Sequence, residues 1–269
     1  MSRVAIIAAM AGELKPLVRG WAHERRGGVE LWRWKFDEDE WVAACGGVGA
    51  DAARRAFAEA ERDGIVDQVI SIGWAGALGE EFQAGKAYWV AGVIDALTGE
   101  RFRTQAWEDG SVGSHPSDKD VARVGHPDLS ESSVVHPDDC WLVTGARVAD
   151  GQEKRRLAAA YKADLVDMEG ASVARLAQMR GIPFYCFKGV SDGYTDKLPD
   201  FNRFIRADGQ FDLTRMVLFS ILRPWYWPRL IRMGENSRKA ARGIRKSLLD
   251  FLDERGDIRQ RHGYPNGKH

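Results

Sequence analysis

Two carboxylates stand directly behind segments that are apolar enough to form buried strands. Glu13 follows the apolar run over residues 3–9, and Asp192 follows residues 184–189, which are mostly apolar or aromatic. A carboxylate beside a buried strand requires a partner or has a function, because burial without either is costly. We therefore expect Asp192 to emerge at the carboxyl end of its strand. Glu13 taken alone is equally typical of a first-turn glutamate that the helix dipole stabilises.

Three further segments have compositions that suit contact with a ligand. Residues 46–49 (GGVG) form a glycine-rich loop whose backbone amides can approach a polar group, although tight turns use the same residues. Trp74 and Gly76 follow the end of a predicted strand, where simple packing explains the small residues equally well. In residues 166–170 (VDMEG), Met168 and Glu169 stand beside an apolar strand, so this second carboxylate also needs an explanation.

Alternating apolar strands and helices predict the scaffold that positions these residues. Strands are expected at residues 3–9, 31–36, 40–44, 66–72, 87–94 and 183–190, and helices at 12–21, 51–63, 155–163 and 172–180. This alternation favours a largely parallel or mixed sheet covered by helices, with ligands at the carboxyl ends of the strands. Residues 101–140 are polar and without clear period, which predicts a long surface excursion that either encloses substrate or is poorly ordered.

Composition and charge restrict the class of protein. With 44% hydrophobic and 29% charged residues, a disordered, collagen-like or coiled-coil chain is excluded. The formal net charge is zero, so no overall field favours nucleic acid as a partner. Three dispersed cysteines without a CxxC pair, and no secretory or membrane segment in the first residues, predict a cytoplasmic protein with reduced thiols. His115, His126 and His136 each precede a proline, as loop residues do, and we expect neither a metal nor a cofactor.

Five segments follow one another over about residues 3–205: VAIIAAMAGEL, GGVGADAA, ISIGWAGAL, VDMEGASVA and GVSDGYTD. Their order resembles the superfamily of purine nucleoside phosphorylases and methylthioadenosine/S-adenosylhomocysteine nucleosidases. Each segment alone is weakly specific, but five in this order are specific. The resemblance implies an α/β protein, a three-layer α/β/α sandwich around a twisted, mixed central sheet, and it points to the nucleosidase branch.

The resemblance also implies a role for each carboxylate. Glu13 matches the glutamate that activates water against the anomeric carbon, and Asp192 matches the acid that protonates the leaving purine at N7. Glu169 matches the residue that binds the ribose hydroxyls, with Met168 packing on the sugar and Ser191 beside the acid. Cleavage of an N-ribosidic bond produces an oxocarbenium-like sugar and a base anion, so an acid and a base in different environments are needed. We expect a largely apolar cleft to keep Asp192 protonated.

Hydrolysis is favoured over phosphorolysis. In the phosphorylases a phosphate-binding arginine lies just before the glycine-rich segment, whereas residues 70–73 (ISIG) contain no cation. Arg25, Arg26 and Lys188 remain candidate anion ligands, and Lys188 stands where the family often has an arginine. The implied substrate is a 5′-modified adenosine of the methylthioadenosine or S-adenosylhomocysteine type, from which adenine is released.

Departures from the family pattern leave the substrate open. Trp74 replaces a small hydroxyl residue, and this large ring can narrow or reshape the pocket. The segment that carries the purine-stacking aromatic matches residues 144–148 (TGARV), in which Val148 replaces the ring. Three aromatic residues are candidates to stack on the purine instead: Trp74, Phe187 and Tyr194. A non-catalytic member that binds a nucleoside is a further alternative.

The last part of the chain differs from the rest in charge. Residues 215–269 contain 13 Lys+Arg and 5 Asp+Glu, a net charge of +8, which leaves −8 for residues 1–214. We expect a catalytic domain over residues 1–214, a basic, aromatic-rich helical extension over 215–252 and a flexible tail over 253–269. Aromatic residues beside arginines fit an amphipathic segment on anionic lipid at the inner membrane surface. The alternative is a helix that packs on the domain with a solvated basic face.

This extension adds a second substrate hypothesis. A nucleosidase-like domain with such a tail also resembles the hopanoid-pathway enzymes that remove adenine from adenosylhopane, a lipid-linked nucleoside. A phosphorylase or nucleosidase that acts on such a lipid is therefore the alternative function. Members of the nucleosidase type are commonly homodimers, and the resemblance implies a homodimer here. A small nucleoside is the expected partner and nucleic acid is not.

Overall fold

The computed structural model describes residues 2–36, 39–105, 140–196, 199–206, 208–221 and 223–254. These residues contain eleven strands: β1 (Arg3–Ala8), β2 (Ala22–Arg26), β3 (Val29–Phe36), β4 (Asp39–Cys45), β5 (Gln68–Ala77), β6 (Ala87–Trp89), β7 (Gly92–Asp95), β8 (Arg101–Arg103), β9 (Trp141–Thr144), β10 (Leu165–Asp167) and β11 (Phe184–Asp192). They also contain six α-helices: α1 (Ala11–Leu14), α2 (Ala50–Glu61), α3 (Gly151–Tyr161), α4 (Gly170–Arg180), α5 (Leu213–Ile221) and α6 (Trp227–Glu254). Most of the predicted excursion over residues 101–140, its three histidines included, lies outside the described residues.

The strands form one mixed sheet that is covered on both faces. Their order is β2-β3-β4-β1-β5-β10-β9-β7-β8, and β11 lies between β5 and β6. β1 is parallel to β4 and β5, β5 is parallel to β11, and β10 is antiparallel to β5. Helices α2 and α4 pack on one face of the sheet, and α1, α3 and α6 pack on the other. This is the three-layer α/β/α sandwich that the family resemblance implies.

β5 positions the site because it changes its neighbour halfway along. Its first half pairs with β1, where the last partners are Ile7 and Ser71. Its second half pairs with β10, where Val166 lies opposite Gly76 and the two strands are antiparallel. The carboxyl ends of β1 and β10 therefore point toward each other across the short stretch of β5 around Trp74. A cleft at such a fork is the usual place for a ligand in an α/β sheet.

Most predicted elements are present, and the differences have local causes. The predicted helix over residues 12–21 ends after α1, because Pro16 has no N–H to continue the helical hydrogen bonds. The predicted strand over 66–72 extends to Ala77 as β5. The predicted strand over 87–94 is two strands: β6 pairs with β11, and β7 pairs with β8 and β9. The predicted strands over 31–36 and 40–44 are confirmed as β3 and β4, which pair antiparallel, whereas the sequence did not predict β2, β8 and β9.

The second half of α6 is part of the core. Ile244, Leu248 and Phe251 are buried in the same cluster as Trp89, and the side chain of Phe251 also lies near those of β11. Close contact of α6 with β11 requires Gly189, since a Cβ at that position would lie 2.7 Å from the Cβ of Ala240. This half of the extension packs on the domain, as the second interpretation of the extension predicted. Among the described helices, none is long and apolar enough to cross a bilayer.

Candidate functional site

Glu13 lies in α1 and is held by backbone amides at the end of β1. The N–H groups of Ala9 and Met10 donate to Oε2 at 2.9 and 2.8 Å, and that of Trp74 donates to Oε1 at 2.8 Å. Burial raises the pKa of Glu13 above its usual value of 4.5, while the amides and the charge of Lys188 act in the opposite direction. A carboxylate has about four acceptor positions. Three bonds therefore leave one position, on Oε1, for a water molecule.

Glu169 follows β10 and immediately precedes α4. Its Oε1 accepts a hydrogen bond of 2.6 Å from the N–H of Gly49. Burial, and then the charge of Asp167, raises the pKa of Glu169 to about 8. A carboxyl group that is protonated at neutral pH both donates and accepts, which suits a pair of hydroxyl groups. The bond from Gly49 also corrects one expectation, because this amide of the 46–49 loop binds Glu169 and not a ligand.

Asp192 is the last residue of β11 and lies next to a β-bulge. The pairing of β11 with β5 shifts between Val190 and Asp192 and leaves Ser191 as the extra residue. The Ser191 hydroxyl donates to Asp192 Oδ1 at 2.7 Å, and the Lys154 ammonium lies 2.5 Å from Oδ2. The expectation of a largely apolar cleft around this acid is therefore wrong at one point. The ammonium of Lys154, a full positive charge, lies against its carboxylate.

Lys154 reaches Asp192 from the first turn of α3. It shares the buried face of this helix with Leu157, and its Nζ also donates to the carbonyl oxygen of Gly193 at 2.8 Å. Its side chain is only 2% exposed. β5 has Gly76 at this point, and a Cβ there would lie 3.1 Å from Lys154 Cε and 3.2 Å from Asp192 Oδ2. The glycine therefore makes room for this ion pair.

Lys188 forms a second ion pair, with Asp167, and is itself absent from the lining of the cavity described below. Its ammonium lies 2.9 Å from Asp167 Oδ2, and both side chains are fully buried. The Ser71 hydroxyl is 3.3 Å from the same ammonium, and the Thr144 hydroxyl donates to Asp167 Oδ1 at 2.7 Å. The structure thus corrects the prediction that Lys188 contacts the substrate. Lys188 acts on the site through its charge, which lowers the pKa of Glu13 from within the sheet.

The two arginines that were candidate anion ligands also have other partners. Arg25 lies 3.4 Å from Glu30 on the neighbouring strand β3. Arg26 binds Glu59 and Asp63 at 2.6 and 2.9 Å. Neither arginine lines the cavity described below. Neither, then, is positioned to hold a phosphate beside Glu13.

Glu13, Glu169 and Asp192 face one cavity with a volume of about 850 Å³. We call these three side chains the carboxylate floor. We call another part of the lining, formed by Met216 of α5 and by Leu230 and Met233 of α6, the apolar roof. Pockets for small molecules usually measure roughly 300–1,000 Å³, so this cavity has room for a nucleoside with a substituent.

Eight of the nine predicted site residues line this cavity: Glu13, Trp74, Gly76, Val148, Met168, Glu169, Ser191 and Asp192. Of the three aromatic candidates for stacking, Trp74 alone is in the lining, where its indole N–H donates to the carbonyl of Ser237 in α6 at 3.1 Å. Phe187 is instead buried in the core against Trp89. The backbone of Val148 is bound by the Asn202 side chain through two hydrogen bonds of 2.8 and 3.1 Å.

Several lining residues were not predicted from the sequence. The largest omission is Lys154, which precedes the predicted helix over 155–163 but belongs to α3, three residues before the buried Leu157. Phe201 and Phe211 add aromatic rings to the wall, with centroids 6.2 Å apart. Leu230, Met233, Ser237 and Ala241 follow helical spacing along α6, which indicated a buried face but not what it covers. The described residues contain no cluster of His, Cys, Asp and Glu able to hold a metal ion.

Comparison with solved structures shows the same fold in nucleosidases. The chain is similar to the 5′-methylthioadenosine/S-adenosylhomocysteine nucleosidase of Helicobacter pylori, in a mutant with 5′-methylthioadenosine in its active site, at 17% identity and a TM-score of 0.64, covering 94% of this chain and 99% of that one. It is also similar to the futalosine hydrolase of Helicobacter pylori at 17% identity and a TM-score of 0.62, covering 94% and 98%. The chain is likewise similar to the corresponding nucleosidase of Neisseria meningitidis in complex with methylthio-immucillin-A. The identity is 18% and the TM-score 0.63, covering 94% of this chain and 99% of that one.

The sequence comparisons give the family. No curated protein sequence matches this chain significantly. The family model described as "Phosphorylase superfamily" matches residues 3–217, a range that includes all three carboxylates of the floor. Because this match covers well over half of the chain, the chain belongs to the phosphorylase superfamily.

Proposed function

We propose that this protein hydrolyses the N-ribosidic bond of a purine nucleoside and releases the free base. The observation that carries the proposal is the convergence of Glu13, Glu169 and Asp192 on one cavity at the fork of the sheet. Trp74, whose amide holds Glu13, and Gly76, which lies beside Asp192, are two residues apart on β5, a separation of roughly 7 Å. A base and an acid held at two neighbouring points of one strand can act on a sugar placed between them.

Glu13 is the general base in this mechanism. Its three amide bonds fix the carboxylate and leave one acceptor position for the attacking water. The water gives its proton to Glu13 as its oxygen bonds to the anomeric carbon. A buried carboxylate also repels a phosphate dianion, and the three candidate phosphate ligands lie outside the cavity lining. The repulsion favours water over phosphate as the nucleophile. Arg147, Arg238 and Arg242 also line the cavity, and the phosphate arm of the experiment below tests whether they hold the anion instead.

Asp192 and Lys154 serve the leaving base. Asp192 in its protonated form gives its proton to the purine as the C–N bond breaks, and its carboxylate is left in an ion pair with Lys154. The cation therefore stabilises the state that exists after proton transfer. Glu169, with its raised pKa, binds the ribose hydroxyls and fixes the ring.

A 5′-modified adenosine is the substrate that we propose, with a lipid-linked nucleoside as the second candidate. The 5′-modified adenosine is supported by the nucleosidases that share this fold, and its cleavage would release adenine. The second is favoured by the apolar roof, because Met216, Leu230 and Met233 offer an apolar surface to whatever the 5′ position carries. Both candidates use the same floor and differ in the substituent that meets the roof.

Base release from three adenosines tests the proposal. Adenosine, methylthioadenosine and an adenosine with a long 5′-alkylthio chain are each incubated with the full chain, with and without inorganic phosphate. We expect adenine and the free sugar in all buffers, at a rate that does not depend on phosphate. Formation of a sugar 1-phosphate would instead assign phosphorolysis. Binding in calorimetry without turnover of any of the three would overturn the enzymatic proposal.

A further inference from the structure

The exposed large apolar side chains of the described residues are concentrated in one short segment. Nine such side chains are exposed, and six of them fall between residues 217 and 231. We call these six the α5–α6 cluster: Val217, Leu218, Ile221, Trp225, Trp227 and Ile231. The other three, Ile65, Leu97 and Met179, are far apart in the sequence. Scattered apolar side chains are ordinary on a surface, whereas a contiguous group marks a site of interaction.

The helical spacing shows that α5 has two apolar faces. Val217, Leu218 and Ile221 are 44%, 61% and 58% exposed and share one side of the helix. Met216 and Phe219 lie on the other side, where Met216 lines the cavity and the Phe219 ring lies 5.2 Å from that of Phe204. Packing on the domain thus accounts for the inner face. The outer face is apolar without a packing function inside the described chain.

The charges around the cluster are positive. Residues 213–231 contain three arginines and no acidic residue. Along α6 the spacing places Trp227, Ile231, Arg238 and Arg242 on one side of the helix, and both of these arginines are exposed and line the cavity. Glu235 is the one acidic residue of this part of α6. Residues 1–214 carry a net charge of −8, so the excess positive charge belongs to the C-terminal part of the sequence.

We propose that the α5–α6 cluster docks on the surface of an anionic lipid bilayer, with its apolar side chains in the interface and the arginines among the headgroups. Aromatic and aliphatic side chains beside arginines, on helices too short or too polar to span a bilayer, are the features of interfacial binding. The same helices form the roof of the cavity, so the docked face adjoins the site. That the bilayer also supplies an amphiphilic nucleoside rests on the proposed function, whereas the docking itself does not.

Vesicle co-sedimentation of the full chain tests this docking. The vesicles contain phosphatidylcholine alone or phosphatidylcholine with about a third phosphatidylglycerol. We expect binding to the anionic vesicles to be at least about tenfold stronger, and to weaken steeply with salt. The variant Leu218→Ser/Ile221→Ser/Trp225→Ser should lose about tenfold or more of this binding, because it removes three apolar side chains from the interface.

A matched variant controls for the loss of apolar surface in general. Ile65→Ser/Leu97→Ser/Met179→Ser removes three exposed apolar side chains elsewhere and should bind anionic vesicles as the unchanged protein does. Equal binding by both triple variants, or no binding by the unchanged protein, would overturn the proposal. So would a change of oligomeric state in the cluster variant by sedimentation velocity, since it would assign the cluster to a second copy of the chain.

The two proposals can fail separately. None of Leu218, Ile221 and Trp225 lines the cavity, so the cluster variant should release adenine from soluble methylthioadenosine at the unchanged rate. Vesicle binding without release of a base from any nucleoside would contradict the proposed function and leave the docking in place. Base release without vesicle binding would contradict the docking and leave the proposed function in place. Thermal unfolding of both triple variants shows whether each is folded.

Discussion

The carboxylate floor and the apolar roof of the cavity are built in different ways. Each carboxylate of the floor has fixed partners: three amides for Glu13, one amide for Glu169, and a hydroxyl and an ammonium for Asp192. The roof consists of side chains from α5 and the first half of α6, and two of its three members are methionines. Methionine is unbranched and adapts to differently shaped neighbours.

In the proposed function, the floor serves the reaction and the roof serves the choice of substrate. Catalytic groups must be held within small tolerances, which the ends of β1, β10 and β11 provide because the sheet fixes them. A substituent on the sugar needs only an apolar surface of adequate size. Changes to the floor should therefore affect the rate for every substrate, whereas changes to the roof should affect the affinity for some substrates.

Asp192→Asn should produce the largest effect. The asparagine has nearly the same shape and still accepts a bond from Lys154, but it cannot donate the same proton to the base. We expect kcat to fall by about 10²–10⁴-fold, while the protein still folds but melts at a lower temperature, because the buried Lys154 ammonium loses its counter-ion. Steady-state kinetics and thermal unfolding measure the two quantities. Asp51→Asn on the surface is the control, and full activity of Asp192→Asn would remove this residue from the mechanism.

Glu169→Gln should make stability less dependent on pH. The pKa of Glu169 is about 8 in the folded protein and near 4.5 when unfolded, so its contribution to stability is complete below pH 4.5 and is lost as the pH rises through 8. The full loss amounts to a few kcal/mol, at most about 5. Urea unfolding at pH 6 and pH 9 should show a smaller difference for the variant. An equal difference in both proteins would show that Glu169 is not the group responsible.

Lys154→Met should show what the ammonium contributes beside the Asp192 carboxylate. Loss of the ammonium leaves the Asp192 carboxylate without its counter-ion after proton transfer, and we expect kcat to fall roughly 10–100-fold near neutral pH. KM should change much less than kcat, because the ammonium is needed once the proton has left Asp192 and not for binding the nucleoside. Arg155→Met, on the exposed face of α3, is the matched control. A rise of KM with kcat unchanged would instead indicate that Lys154 only shapes the site.

Met233→Ala should have the smallest effect and should act on one class of substrate. Removal of apolar surface from the roof weakens contact with a long 5′ substituent, so KM for a 5′-alkylthioadenosine should rise by about 3–10-fold. KM for adenosine and kcat for both substrates should change less than about twofold. Met179→Ala, an exposed methionine in α4, is the control. An equal rise of KM for both substrates would contradict the division between floor and roof.

The sequence predicted most strands and the three carboxylates, because both leave local signals. Buried strands are short apolar runs, and Glu13, Glu169 and Asp192 each stand beside one of them. Lys154 was not predicted, since a lysine in the first turn of a helix has the same local pattern whether it faces solvent or Asp192. β6 and β7 were predicted as one strand because the apolar run is continuous, although its partner strand changes at residues 90–91.

What the sequence determined by itself is the order of strands and helices, the family, and the kinds of group available for the reaction. The tertiary structure alone decided which groups meet. Whether Lys188 or Lys154 stands beside Asp192, and whether α5 and α6 cover the cavity or lie elsewhere, depends on strand order at the fork of β5 and on the packing of α6 against Gly189. Such contacts join residues that are tens to hundreds of positions apart. Local propensity and periodicity contain no information on pairings at that distance.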